Sequence, residues 1–113
     1  MAKDKSKTPS QIVVFAVDAG TETAASEVLT DLGLESGMVK RGGIDTAIEY
    51  LSNNPSPKIV VVDISTSQLP LSDVNLLAEA CEPGVEVIVI GQNNDIGLFR
   101  DLIKLGVTDY LAK

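Results

Sequence analysis

The run Lys-Ile-Val-Val-Val-Asp-Ile-Ser at residues 58–65 limits what this chain can fold into more than any other stretch. Ile59, Val60, Val61 and Val62 follow one another with no polar alternation. A strand that is apolar on both faces needs a layer above and a layer below, so the run predicts the central strand of a parallel sheet covered by helices. It ends on a carboxylate. Asp63 therefore falls at the carboxyl end of the sheet, the edge where open α/β folds gather their ligand sites, and is the first candidate site residue.

The remaining segments repeat the same alternation. Residues 11–17 (Gln-Ile-Val-Val-Phe-Ala-Val) and 85–91 (Val-Glu-Val-Ile-Val-Ile-Gly) read as two further buried strands. Residues 37–41 read as an edge strand, with Lys40 and Arg41 discouraging pairing with another chain, and residues 107–112 as a fifth strand. Between them lie apolar residues at helical spacing: Ala24, Ala25, Val28, Leu29 and Leu32 in 21–32, Ile44, Ala47, Ile48 and Leu51 in 44–53, Leu71, Val74, Leu77 and Ala78 in 71–81, and a fourth helix over 96–105. Thr21 is the expected cap of the first helix, and Gly33 its stop. Strands alternating with helices of this length imply right-handed parallel crossovers in one domain over 11–113, preceded by a polar tail at 1–10. The expected fold class is α/β and flavodoxin-like, with a five-stranded parallel sheet of order 2-1-3-4-5, helices on both faces, and Asp18 and Asp63 facing one another across the crevice beside strands one and three. No helix follows the fifth strand, although the sheet face shared with the first helix calls for one. The expectation is a segment cut from a longer protein.

Charge and rare residues narrow the chemistry. The 113 residues carry a net charge of -7, and three of the nine cationic side chains, Lys3, Lys5 and Lys7, lie in the tail. What remains offers no basic face to phosphates, which sets nucleic acid aside as a partner. There is no histidine, so the usual general base and the commonest metal ligand are both missing. Cys81 is the single cysteine and reads as a small buried hydrophobe. The six-residue run 12–17 is too short for a signal peptide, and no stretch reaches the ~20 apolar residues of a membrane span. The expectation is a cytoplasmic protein without a cofactor and without membrane insertion.

Taken together, Asp18, Asp63 and Lys113 in Asp-Tyr-Leu-Ala-Lys resemble the receiver (CheY-like) domain of two-component signalling. The resemblance puts Asp63 at the phosphoacceptor position, Asp18 at one of two metal-binding acids and Lys113 at the invariant lysine. It departs at Ala19, where a second acid is expected, and at Gly91, where a Ser or Thr hydroxyl is expected. Residues 87–111, with Arg41-Gly42-Gly43-Ile44 and Val61-Val62-Asp63-Ile64-Ser65, are more closely similar to the amino-terminal atypical receiver domain of the CpaE/TadZ pilus-assembly and localisation family. That resemblance implies a carboxyl-terminal ParA/MinD-like ATPase domain beyond residue 113, protein partners in pilus assembly, a homodimer and recruitment to the cell pole.

Aspartyl phosphorylation needs a carboxylate nucleophile, Mg²⁺ over the phosphoryl oxygens and a cation to hold the product. Asp63, Asp18 and Lys113 match those roles, yet Ala19 leaves two acids where Mg²⁺ favours a fuller oxygen shell, so weak metal binding by Asp18 and Asp63 is expected. Two readings stand for Asp63: a phosphoacceptor in a two-component relay, or a retained carboxylate that pairs with Lys113 or caps the following turn. The resemblance favours a non-enzymatic interaction module. Gln92, Asn93, Asn94, Phe99 and Tyr110 are the candidate partner surface; for Phe99, Tyr110, Ile96 and Ile103 the competing reading is burial in the core.

Overall fold

Each β-branched run pairs with its neighbours in parallel, as side chains that must be covered on both faces require. In the computed structural model, which describes residues 12–31, 33, 37–54, 56–91 and 96–112, the chain runs β1 (Ile12–Ala16), α1 (Ala19–Asp31), β2 (Met38–Arg41), α2 (Ile44–Asn53), β3 (Ile59–Asp63), α3 (Pro70–Ala80), β4 (Glu86–Gly91), α4 (Ile96–Lys104) and β5 (Asp109–Ala112). The sheet order is β2-β1-β3-β4-β5, all parallel, with β3 in the centre as expected. Residues 1–10, Gln11, Leu32, the loop containing Gln92, Asn93 and Asn94, and Lys113 lie outside the described residues.

One face of the sheet is closed by three helices. Val13, Phe15, Val60, Val62, Val87 and Val89 from the strands meet Ile44, Ala47 and Leu51 of α2, Val74 and Leu77 of α3, and Leu102 of α4 in one cluster. The Phe15 ring meets the Tyr50 ring edge-on, with centroids 5.7 Å apart, and the Lys40 ammonium sits 5.0 Å from the Tyr50 centroid. Both arrangements suit an aromatic quadrupole. Gly42, at φ +146°, makes the turn into α2: a Cβ there would lie 2.7 Å from Thr46 Cβ. Its N–H still donates to the Ala16 carbonyl at 2.8 Å, extending the β1–β2 ladder past the strand.

The opposite face is less completely covered. Among the described residues α1 lies over β1 and β2 and buries only Leu29. Val28 is 53% exposed and Leu111 of β5 50% exposed. Ile12, Val14, Val61, Ile90 and Leu111, together with Ala24, Ala25 and Val28 of α1, line an apolar groove of about 430 Å³.

Three expectations change. Thr21 does not cap α1: the helix starts two residues earlier, and the Asp18 carboxylate accepts from the Thr21 N–H, because aspartate caps better than threonine from that position. Leu71 and Ala78 are not on the buried face of α3, where only Val74 and Leu77 are fully enclosed. Ile96, Phe99 and Ile103 are not core, since α4 turns Leu98 and Leu102 inward and leaves these three exposed.

Candidate functional site

The carboxyl ends of β1, β3 and β4 meet at one edge, and register decides what meets there. Phe15 lies beside Val62, so Ala16 and Val17 run alongside Asp63, while Asp63 itself pairs with Ile90 across β3–β4. Gly91 follows, paired with Ala112 of β5. The topology therefore delivers the expected pocket positions Asp18, Asp63 and Gly91 to the same end of the sheet.

Asp63 is completely buried. A buried carboxylate must be satisfied by donors, and this one is held by its neighbours. Its Oδ1 accepts from the Ser65 N–H at 3.0 Å and from the Ser65 hydroxyl at 2.7 Å, and its Oδ2 faces the Val17 N–H at 3.4 Å. The bonds to Ser65 are an Asx turn closed two residues ahead, which carries the chain out of β3. The Val17 contact ties β3 to β1 directly beside Asp18.

Asp18 is exposed and directed along its own helix. Its Oδ1 accepts from the Thr21 N–H at 2.7 Å, and its carbonyl from the Glu22 N–H at 3.0 Å, so it opens α1. Ala19 brings no oxygen to the edge. Among the described residues no group of three or more acidic, histidine or cysteine side chains comes together to hold a metal ion. Two carboxylates, one capping a helix and one closing a turn, are a sparse oxygen set for Mg²⁺, whose remaining positions water would have to fill.

Gly91 is buried, and the space where its side chain would stand belongs to Tyr110. A Cβ built on Gly91 would fall on the Tyr110 hydroxyl, 2.8 Å from Cζ and 2.9 Å from Cε1. Beside this contact is a cavity of about 90 Å³ lined by Ile64, Ser65, Ser67, Leu98, Gly91 and Tyr110, which connects the aromatic ring to the serine that holds Asp63. On the other side of Tyr110 lies Phe99, with ring centroids 6.2 Å apart. Phe99 and Tyr110 are thus brought together at the α4–β5 surface, next to exposed Ile96 and Ile103.

Sequence reasoning offered Asp63 as the cap of the following turn, which the bonds to Ser65 make, without naming Ser65, and it missed the Gly91–Tyr110 contact. Ser65 as the partner of Asp63 was readable from the Asp-X-Ser spacing, which is the spacing of an Asx turn. The Gly91–Tyr110 contact joins residues on different strands, and no local spacing signals it.

Compared with known proteins, the chain matches no protein-family model and no curated protein. It is similar to the crystal structure of the pilus assembly protein CpaE from Caulobacter crescentus CB15, with 33% identity and a TM-score of 0.81 over 90% of this chain and 80% of that one. A CpaE2 pilus assembly protein from Sinorhizobium meliloti 1021 is similar to the same degree, with 33% identity and a TM-score of 0.81 over 90% of this chain and 86% of that one. A response regulator from Thermotoga maritima shares the fold alone, at 20% identity and a TM-score of 0.66 over 90% and 82% of the two chains.

Proposed function

The chain belongs to the CpaE family of pilus assembly proteins, and from that membership we propose that it is a receiver-like protein-interaction module that positions a pilus-assembly protein and catalyses no reaction. The observation that carries this reading is the contact at Gly91, where a tyrosine ring occupies the space a receiver gives to a phosphate-sensing hydroxyl. Ala19 and the capping role of Asp18 support it, because both subtract from a magnesium site. Its partners are proteins: pilus-assembly components, an ATPase domain of its own protein, or a second copy meeting it across the apolar groove beside α1. Recruitment to the cell pole is part of the same proposal.

The test is incubation of the chain with Mg²⁺ and acetyl phosphate or beryllofluoride, followed by intact mass and by amide NMR. The expected result is no adduct on Asp63 and no shift at the α4–β5 surface. The place of Asp63 at the carboxyl end of the central strand favours the rival reading, a phosphoacceptor in a two-component relay. Stoichiometric modification that disappears in Asp63→Asn would establish it and overturn the first. For self-association, sedimentation velocity is expected to show a concentration-dependent dimer, and a monomer at all concentrations would remove that part.

A further inference from the structure

We infer that Gly91 is a positioning residue for Tyr110: the missing side chain at 91 leaves the room that the inward orientation of the ring requires and so shapes the α4–β5 surface. The packing leaves little choice. Tyr110 stands beside Val89 in the β4–β5 ladder, and Gly91 lies two residues further along β4, on the same face of the sheet. The ring leans along the strand toward the carboxyl edge and lies over the Gly91 backbone, where any Cβ would overlap it.

The backbone cannot yield instead. Ile90 is paired with Asp63 on one side and Leu111 on the other, Gly91 is paired with Ala112, and the Ile90 carbonyl accepts from the Ile64 N–H at 2.8 Å. Moving β4 would break ladder bonds in the centre of the sheet, whereas the tyrosine has another staggered well about χ1. A side chain at 91 therefore turns Tyr110 out. The ring then leaves Leu98 and the cavity beside Ser65, and its 6.2 Å relation to Phe99 changes.

The inward orientation thus depends on the room left at Gly91, and the surface made by Phe99, Tyr110, Ile96 and Ile103 takes its shape from that room. That functional consequence rests on the interaction-module reading; the packing claim does not. The two fail separately: an Asp63 adduct overturns the module, and an unmoved tyrosine overturns the packing claim.

The experiment uses the full chain in a Tyr50→Phe background, where Tyr110 is the sole tyrosine and no tryptophan interferes. Acrylamide quenching of its fluorescence is compared for Gly91, Gly91→Ala and Gly91→Ser. The expected result is a quenching constant higher by about twofold in both variants, with far-UV circular dichroism unchanged, because a close-packed site cannot hold both groups. Equal quenching in folded variants overturns the inference. Should Gly91→Ala fail to fold, Gly91→Ala with Tyr110→Ala is expected to fold again, since the obstructing ring is gone; a double variant that stays unfolded also overturns it.

Discussion

At the scale of single residues, burial and local satisfaction decide behaviour. Asp63 is enclosed because Ser65 supplies two donors to one of its oxygens, so removing the carboxylate orphans the serine rather than relieving a charge. Asp63→Ala is expected to lower stability by about 1–3 kcal/mol in urea unfolding, the range for leaving buried polar groups unpartnered. Asp63→Asn keeps an acceptor for Ser65 and is expected to lose less. Burial also pushes the Cys81 thiol up from its ordinary value. The protonated form is then favoured in the folded chain, and less thiolate is present at any given pH. Alkylation by iodoacetamide at pH 8 is expected to be slower than for an unfolded control, becoming equal in denaturant. The sign for stability follows from the same shift: the contribution is intact below the ordinary thiol range and is lost as pH rises through the folded value. Asp63 at a strand end could be read from the sequence, whereas Cys81, read as a small buried hydrophobe, is only partly buried at the end of α3. The ring over Gly91 could not, because Tyr110 reaches it only through the β4–β5 register.

At the scale of elements, α4 shows how a helix divides its apolar side chains. Leu102 is fully buried against the sheet, and Leu98 packs beside it four residues away on the same face. Ile96, Phe99 and Ile103 lie on a different stripe and meet solvent. Leu102→Ala is expected to cost about 2–5 kcal/mol, as truncations in closed cores do. Ile96→Ser, at a position 65% exposed, is expected to stay within about 0.5 kcal/mol of the parent. Urea midpoints measured side by side check both, and an equal loss for the two would mean that α4 docks by the other stripe. Periodicity located this helix but could not assign its stripes, because five large apolar side chains in nine residues exceed what one face buries. In α1 the start moved from Thr21 to Ala19 for a comparable reason. Asp18, assigned to the pocket by its place after β1, also makes the better cap.

At the scale of the whole molecule, the two faces of the sheet are unequal. Three helices close one face, while α1 leaves the groove bounded by Val28, Ile90 and Leu111 open among the described residues. Exposed apolar surface of this kind binds hydrophobic dyes without unfolding. The native chain is expected to enhance the fluorescence of anilinonaphthalene sulfonate, and Leu111→Glu to reduce that enhancement with the circular dichroism unchanged. Enhancement unaffected by Leu111→Glu would place the dye elsewhere.

The strand–helix alternation, the central place of the 58–65 run and the arrival of Asp63 at the carboxyl edge all followed from the order of residues, because hydrophobic period and turn chemistry are local and parallel crossovers have one hand. Contacts between strands far apart in the chain were decided only by folding. Whether a helix shows its isoleucines to the core or to water depends on how many layers compete for the same side chains. Whether Gly91 leaves a hole or is filled by Tyr110 depends on register across β4 and β5, a distance relation that composition and spacing do not carry.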